Sequence, residues 1–328
     1  MKAKILKTVK ARNFPLVILI IVIILFFQYI SNSTYLTLIN IQTILNSTAI
    51  VALLAIGASF VIISGHIDLS AGYLGTFSGM LIAFFIVNIG LPWFLAFPLT
   101  LIAAMAVGFI NATLIHKLGF QSFIATISMG SICEGLSFVL TGGKTITIKD
   151  AAFSSIGTSS IFKVIPSSVI FAVVALVVYG IILSMTKFGR KVYLVGGNHN
   201  AARLTGLNPV RVSYIVFMNN AAMSCVAGCL VASRVMAGTM GGITSQNFSG
   251  ITASILGGIS FGGGTGGVSG IIVGLLILST FNNGLTVLRV ESHWIQVASG
   301  ILLLIALALD YLLSKSGNVL RKLRNKTA

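Results

Sequence analysis

The feature that most constrains this chain is a succession of apolar runs, most about 20 residues long, separated by short polar or basic connections. A bilayer core of about 30 Å is crossed by about 20 apolar residues in a helix, which satisfies its own backbone hydrogen bonds. Charged residues make up 8% of the 328, against roughly 25% in a soluble domain. A water-facing surface cannot be assembled from so few. A membrane β-barrel would show short segments of alternating polarity, whereas these runs are continuous. The pattern predicts an all-α membrane protein: a polytopic bundle of about ten transmembrane helices, with broken or short helices in the late glycine-rich region. The expected spans are 15–30, 44–63, 69–89, 93–115, 121–140, 166–186, 212–235, 249–261, 267–288 and 293–313. Segment 249–261 is too short to cross unless broken or tilted, so it either spans or re-enters.

The net charge of +16 would suggest nucleic acid in a soluble protein. Here the basic residues gather in connections between apolar runs, as in cytoplasmic loops of membrane proteins, and no nucleic acid is implied. An even number of spans with the N-terminus inside puts Lys2, Lys4, Lys7, Lys10 and Arg12 in the cytoplasm. It also puts there Lys117, then Lys187, Arg190, Lys191, Arg203 and Arg211, and finally Lys315, Arg321, Lys322, Arg324 and Lys326. Lys144, Lys149, Lys163, Arg234 and Arg289 remain at the outer side. The expected organisation is a cytoplasmic basic N-terminus (1–14), a transmembrane domain (15–313) and a cytoplasmic basic C-terminus (314–328). No small-residue cleavage site follows the first run, so it reads as a retained anchor. A multi-pass membrane protein with both termini in the cytoplasm is expected. Two connections are long: an outer one from Gly142 to Ile165, and a basic inner one at 187–211.

Glycines 258, 262, 266, 270 and 274 recur every four residues, but Gly262-Gly263-Gly264 favours two segments joined by a hairpin over one helix. The glycines form no phosphate loop. Gly143-Lys144-Thr145 has Phe138 where that motif needs glycine, and no Lys-Ser or Lys-Thr follows Gly262. Any nucleotide-driven work therefore falls to a partner, and no cofactor or metal site is expected. Cys133, Cys225 and Cys229 read as buried thiols. His66, His116, His199 and His293 lack an acid–nucleophile spacing, so no catalytic residue is assigned and the chain is not read as an enzyme. Asp68 suits either an N-cap for the following span or a place on a solute path. Glu134 lies mid-span, where a carboxylate costs about 2.5–3.5 kcal/mol, and is a candidate for the path or for an interhelical pair. Asn111, Asn219, Asn220, Asn282 and Asn283 are further path candidates. Asp310 and Arg234 read as interfacial charges.

Four stretches, in order over about residues 50–312, resemble the permease subunits of ribose-type monosaccharide ABC importers. They are Leu53–Gly57 leading into Ser64-Gly65-His66-Ile67-Asp68-Leu69-Ser70-Ala71-Gly72, and Phe123-Ile124-Ala125-Thr126 with Leu140-Thr141-Gly142-Gly143. The third comprises Phe188-Gly189-Arg190, Gly196-Gly197-Asn198 and Ala201–Gly206. The fourth is Gly257–Gly263 with Asn282-Asn283-Gly284-Leu285. The resemblance implies a second permease subunit, identical or not, a cytoplasmic ATP-binding subunit that uses the ATP, and an extracytoplasmic solute-binding protein. It also implies that the 187–211 loop couples to the ATPase through Lys187, Phe188, Gly189, Arg190, Asn198, Ala201, Ala202, Arg203 and Gly206. His66, Ser122 and Gln246-Asn247-Phe248 depart from the family pattern at a glycine, a proline and an acidic position, so ribose itself is not carried over. An ion-coupled secondary transporter is the alternative, with Glu134 and Asp68 as its coupling carboxylates.

Overall fold

The computed structural model describes residues 2–161 and 165–308, with side chains from Leu16 onward. The basic side chains at 2–12, Lys163, Asp310 and the 314–328 segment lie outside the described residues. Thirteen helices appear among them. They are α1 (Lys2–Ile30), α2 (Leu38–Ile63), α3 (Ala71–Val87), α4 (Trp93–His116), α5 (Ser122–Thr141), α6 (Ala151–Thr158) and α7 (Ser167–Met185). There follow α8 (Lys187–Gly197), α9 (His199–Leu204), α10 (Pro209–Val235), α11 (Asn247–Leu256) and α12 (Val268–Val287), and the apolar helix α13 (Ser292–Ala308).

The expected count of ten transmembrane helices is overturned. Among the described residues, six helices are long and apolar enough to cross a membrane: α2, α4, α5, α7, α10 and α12. The apolar part of α1 (Leu16–Ile30), α3 and α13 are shorter, at 10–17 residues, and α11 has ten. Hydropathy registers burial, and two buried runs are only partly helical. Residues 64–70 leave the helix at Gly65 (φ +86°) and stay non-helical to Ser70, so α3 starts at Ala71. Loop 257–267 likewise separates α11 from α12, with positive φ at Gly258, Gly263, Gly264 and Gly266.

Small residues bring the long helices together, as expected where lipid gives no hydrophobic drive. α10 packs on α2, α3 and α4. Gly228 presses on the Gly75 backbone, and Gly108 on that of Phe217. α12 meets α11 through Gly270 against Gly257 and Gly274 against Ala253. α2 is buried continuously from Ala49 to Ile63. By contrast α1, α4, α5 and α7 turn Val22, Leu25, Ile102, Phe109, Val139 and Val177 outward, the dress of a lipid-facing surface.

The outer connection is more ordered than its Ser/Thr/Gly content suggests. β1 (Ile146–Thr147) pairs antiparallel with β4 (Ala237–Gly238), and β2 (Ser160–Ile161) with β3 (Ile165–Pro166). Asp150 caps α6, its carboxylate accepting from the Phe153 N–H at 3.0 Å. Gly157 sits against the Arg234 backbone, which ties this connection to the last turn of α10.

Candidate functional site

Segment 64–70 carries a buried polar end, Asp68 to Ser70, and two of its residues, Ile67 and Leu69, take backbone bonds from distant side chains. The Ile67 N–H donates to Ser122 Oγ (3.3 Å) and the Leu69 N–H to Thr126 Oγ1 (3.0 Å), both on α5. Asn247, the first residue of α11, donates through Nδ2 to the Leu69 carbonyl (2.9 Å), while its Oδ1 accepts from the Gly72 N–H (2.8 Å). The N-terminal ends of α3 and α11 thereby meet through one amide. Asp68 Oδ1 accepts from the Ser70 N–H (2.9 Å) and hydroxyl (2.6 Å), and Oδ2 accepts from Asn220 Nδ2 of α10 (2.9 Å). Asn111 Nδ2 of α4 donates to Ser70 Oγ (3.1 Å). Asp68 is 4% exposed, and Asn111, Asn220 and Ser70 are wholly buried. Asn111 Oδ1 and Asn220 Oδ1 have no partner. Three of the candidates named from sequence thus join one network, Asn220 through Asp68 and Asn111 through Ser70.

The other candidates lie elsewhere. Asn219 accepts a short hydrogen bond from the Tyr179 hydroxyl of α7. Asn283 and Asn40 exchange two amide hydrogen bonds at 3.0 Å, and Asn282 Oδ1 accepts from the Ser299 hydroxyl at 3.1 Å. These last contacts lock α12 to α2 and α13. Glu134 stands on the outer face of α5, exposed, together with Ser128, Ser131 and Gly135. Both serines bond only to carbonyls of their own helix, at Ile124 and Ile127. Sequence reasoning passed over Ser70 and Thr126, and saw Asn247 only as a departure from a motif.

The 187–211 loop folds into two short helices with a cap at each start. Thr186 Oγ1 accepts from the Gly189 N–H, Asn198 Oδ1 from the Ala201 N–H, and Asn208 Oδ1 from the Arg211 N–H, with Pro209 in the first turn of α10. Gly189, Val192, Val195 and Ala202 face inward, and Phe188 is half-buried. Lys187, Arg190, Lys191, Asn198, Ala201, Arg203 and Gly206 are exposed, and Leu204 is 90% exposed. Beneath α9 the His66 ring meets those of His116 and His199 edge-on at 5.4 and 5.8 Å, with Ser213 Oγ 3.2 Å from His66 Nε2. Burial first, then repulsion from the neighbouring His116 and His199, lowers the His66 pKa to about 4. No group of three or more His, Cys, Asp or Glu among the described residues is placed to hold a metal.

Long apolar helices around two short ones, whose ends meet at a buried polar junction, define a polytopic membrane protein of the transporter class. Residues 40–307 match the family described as "Branched-chain amino acid transport system / permease component", and the chain belongs to that family. It is similar to the ribose import permease of Haemophilus influenzae, 33% identical over 307 residues that cover 92% of this chain and 93% of that protein. The ribose import permease of Bacillus subtilis is 36% identical over 289 residues, 86% of this chain and 87% of that one. The L-arabinose transport system permease of Escherichia coli is 30% identical over 274 residues, 84% and 83% of the two chains. No solved structure matches the chain.

Proposed function

We propose that this chain is the membrane-spanning permease of an ABC-type importer for a monosaccharide, working with a cytoplasmic ATP-binding subunit, a second permease subunit and an extracytoplasmic solute-binding protein. The observation that carries the reading is the capped α8–α9 loop. It is a rigid, basic knob presenting Arg190, Arg203 and Leu204 on a chain with no phosphate loop of its own. A fully exposed leucine flanked by arginine suits a protein partner, the apolar side chain seated and the cation at its rim. The end of the bundle bearing Lys117 and this loop then faces the cytoplasm.

Glu134 supports a polar solute. A carboxylate turned to lipid near mid-span costs about 2.5–3.5 kcal/mol, so the Glu134 face of α5 is covered by the second permease subunit and lines water between the two. Glu134, Ser128 and Ser131 offer hydrogen-bonding groups there, as a polyhydroxylated solute needs. Asp68, Asn111 and Asn220 are enclosed too tightly to touch solute and hold the wall behind it. Arg190→Glu with Arg203→Glu tests the docking half of this reading. The doubly changed chain inserts normally but no longer co-purifies with its ATP-binding subunit, and undiminished co-purification contradicts it.

A further inference from the structure

Three connections meet main chain to main chain at the end of the bundle that carries the α8–α9 loop. They are the turn after α2 at Gly65, the C-terminal end of α8 at Gly196 and Gly197, and the loop between α11 and α12 at Gly263 and Gly264. A Cβ on Gly196 would lie 1.7 Å from the Ile63 carbonyl oxygen and 2.9 Å from Gly264 N. One on Gly264 would lie 2.7 Å from Gly197 Cα, and one on Gly263 would lie 3.0 Å from both Gly65 Cα and Gly196 O. The Gly264 N–H donates to the Ile63 carbonyl at 2.8 Å. Side chains cross the same junction: the Tyr193 hydroxyl of α8 donates to the Gly266 carbonyl at 2.8 Å, and His199 meets His66.

Each connection leads somewhere different. Gly65 opens the segment that carries Asp68 into α3. Gly263 and Gly264 follow α11, whose Asn247 holds Leu69 and Gly72. Gly196 belongs to the proposed docking loop. Side chains absorb a displacement by changing rotamer, but close-packed main chain has no such slack and passes it on.

We infer that this glycine junction transmits movement of the docking loop to α3 and α11 together, which makes Gly196, Gly264 and Tyr193 positioning residues for the coupling of ATP hydrolysis to solute movement. The inference rests on the reading of the chain as an ATP-driven permease.

The test uses the complete transporter in liposomes, with solute imported per ATP hydrolysed as its readout. Gly196→Ala, Gly264→Ala and Tyr193→Phe are compared with Gly300→Ala on α13, away from the junction, whose Cβ would meet nothing within 4 Å. The first three are expected to assemble with the ATP-binding subunit and keep hydrolysing, while the ratio falls about 2- to 30-fold; Gly300→Ala keeps the wild-type ratio. Should either glycine variant fail to insert, Tyr193→Phe decides, since it removes one hydroxyl and leaves the backbone packing alone. An unchanged ratio, or import and hydrolysis falling in step, overturns the inference. Absence of ATP-driven import by the unaltered chain overturns the function reading and this inference with it.

Discussion

Asp68 is where the buried junction is most open to measurement, because its two nearest substitutes leave different groups unpaired. Asp68→Ala removes the acceptor for the Ser70 N–H, the Ser70 hydroxyl and Asn220 Nδ2. Turning the Asn111 amide to accept from the hydroxyl would only take Asn111 Nδ2 off Ser70 Oγ, so three buried donors stay unsatisfied. At about 1–3 kcal/mol each the loss is about 3–9 kcal/mol. Relief of a buried charge moves the result toward the lower end. Asp68→Asn keeps an acceptor for Ser70 and places an amide N–H against Asn220. A flipped Asn220 presents its orphaned Oδ1 to that N–H, so the bond re-forms and the loss stays within about 1 kcal/mol. Thermal unfolding of the detergent-solubilised variants distinguishes the two, with Asp68→Ala well below wild type and Asp68→Asn close to it. Equal losses, or a greater loss for Asp68→Asn, would refute the assigned hydrogen bonding.

Two further outcomes follow from the same geometry. His66 falls from its ordinary 6.5 to about 4 in the folded chain, so between these values the unfolded chain binds a proton that the folded one refuses. This contribution is favourable above pH 6.5 and is lost on acidification, by about 2 kcal/mol between pH 7 and pH 5. His66→Gln should flatten that acid slope, and a slope identical to wild type would count against a buried neutral His66. Glu134→Leu should insert and pair as wild type but lower kcat/KM for import by about 10- to 100-fold, the worth of one charge-assisted hydrogen bond to solute. Wild-type import by that variant would place Glu134 off the path.

The long helices were readable because their apolar runs are long, as 212–235 is within α10 (Pro209–Val235). The short ones were not. Ile67 and Leu69 of segment 64–70 take backbone hydrogen bonds from Ser122, Thr126 and Asn247, 55 to 178 positions away, and hydropathy over a window carries no trace of such partners. Ser70 looked like an ordinary small polar residue, and nothing local set Asn247 apart. α6 was hidden for another reason, since its eight residues are too few to register as an apolar run and depend on Asp150 as a cap and Arg234 as a neighbour. The asparagines show the limit most clearly. Asn220 and Asn111 reach the Asp68–Ser70 pair, while Asn282 and Asn283, in equally apolar surroundings, bind Ser299 and Asn40. Which of two such residues joins a site depends on which helix lies opposite, and that is fixed by packing.

The central claim is that this chain moves a sugar when a partner hydrolyses ATP, and uptake into liposomes tests it most directly. The chain is reconstituted with its ATP-binding subunit and solute-binding protein and presented in turn with labelled ribose, xylose and arabinose. At least one of these sugars should accumulate against its gradient when ATP is supplied at the face bearing α8 and α9. Accumulation should stop when the ATP-binding subunit is made hydrolysis-dead. Uptake that persists with the dead subunit on an ion gradient alone would contradict the account.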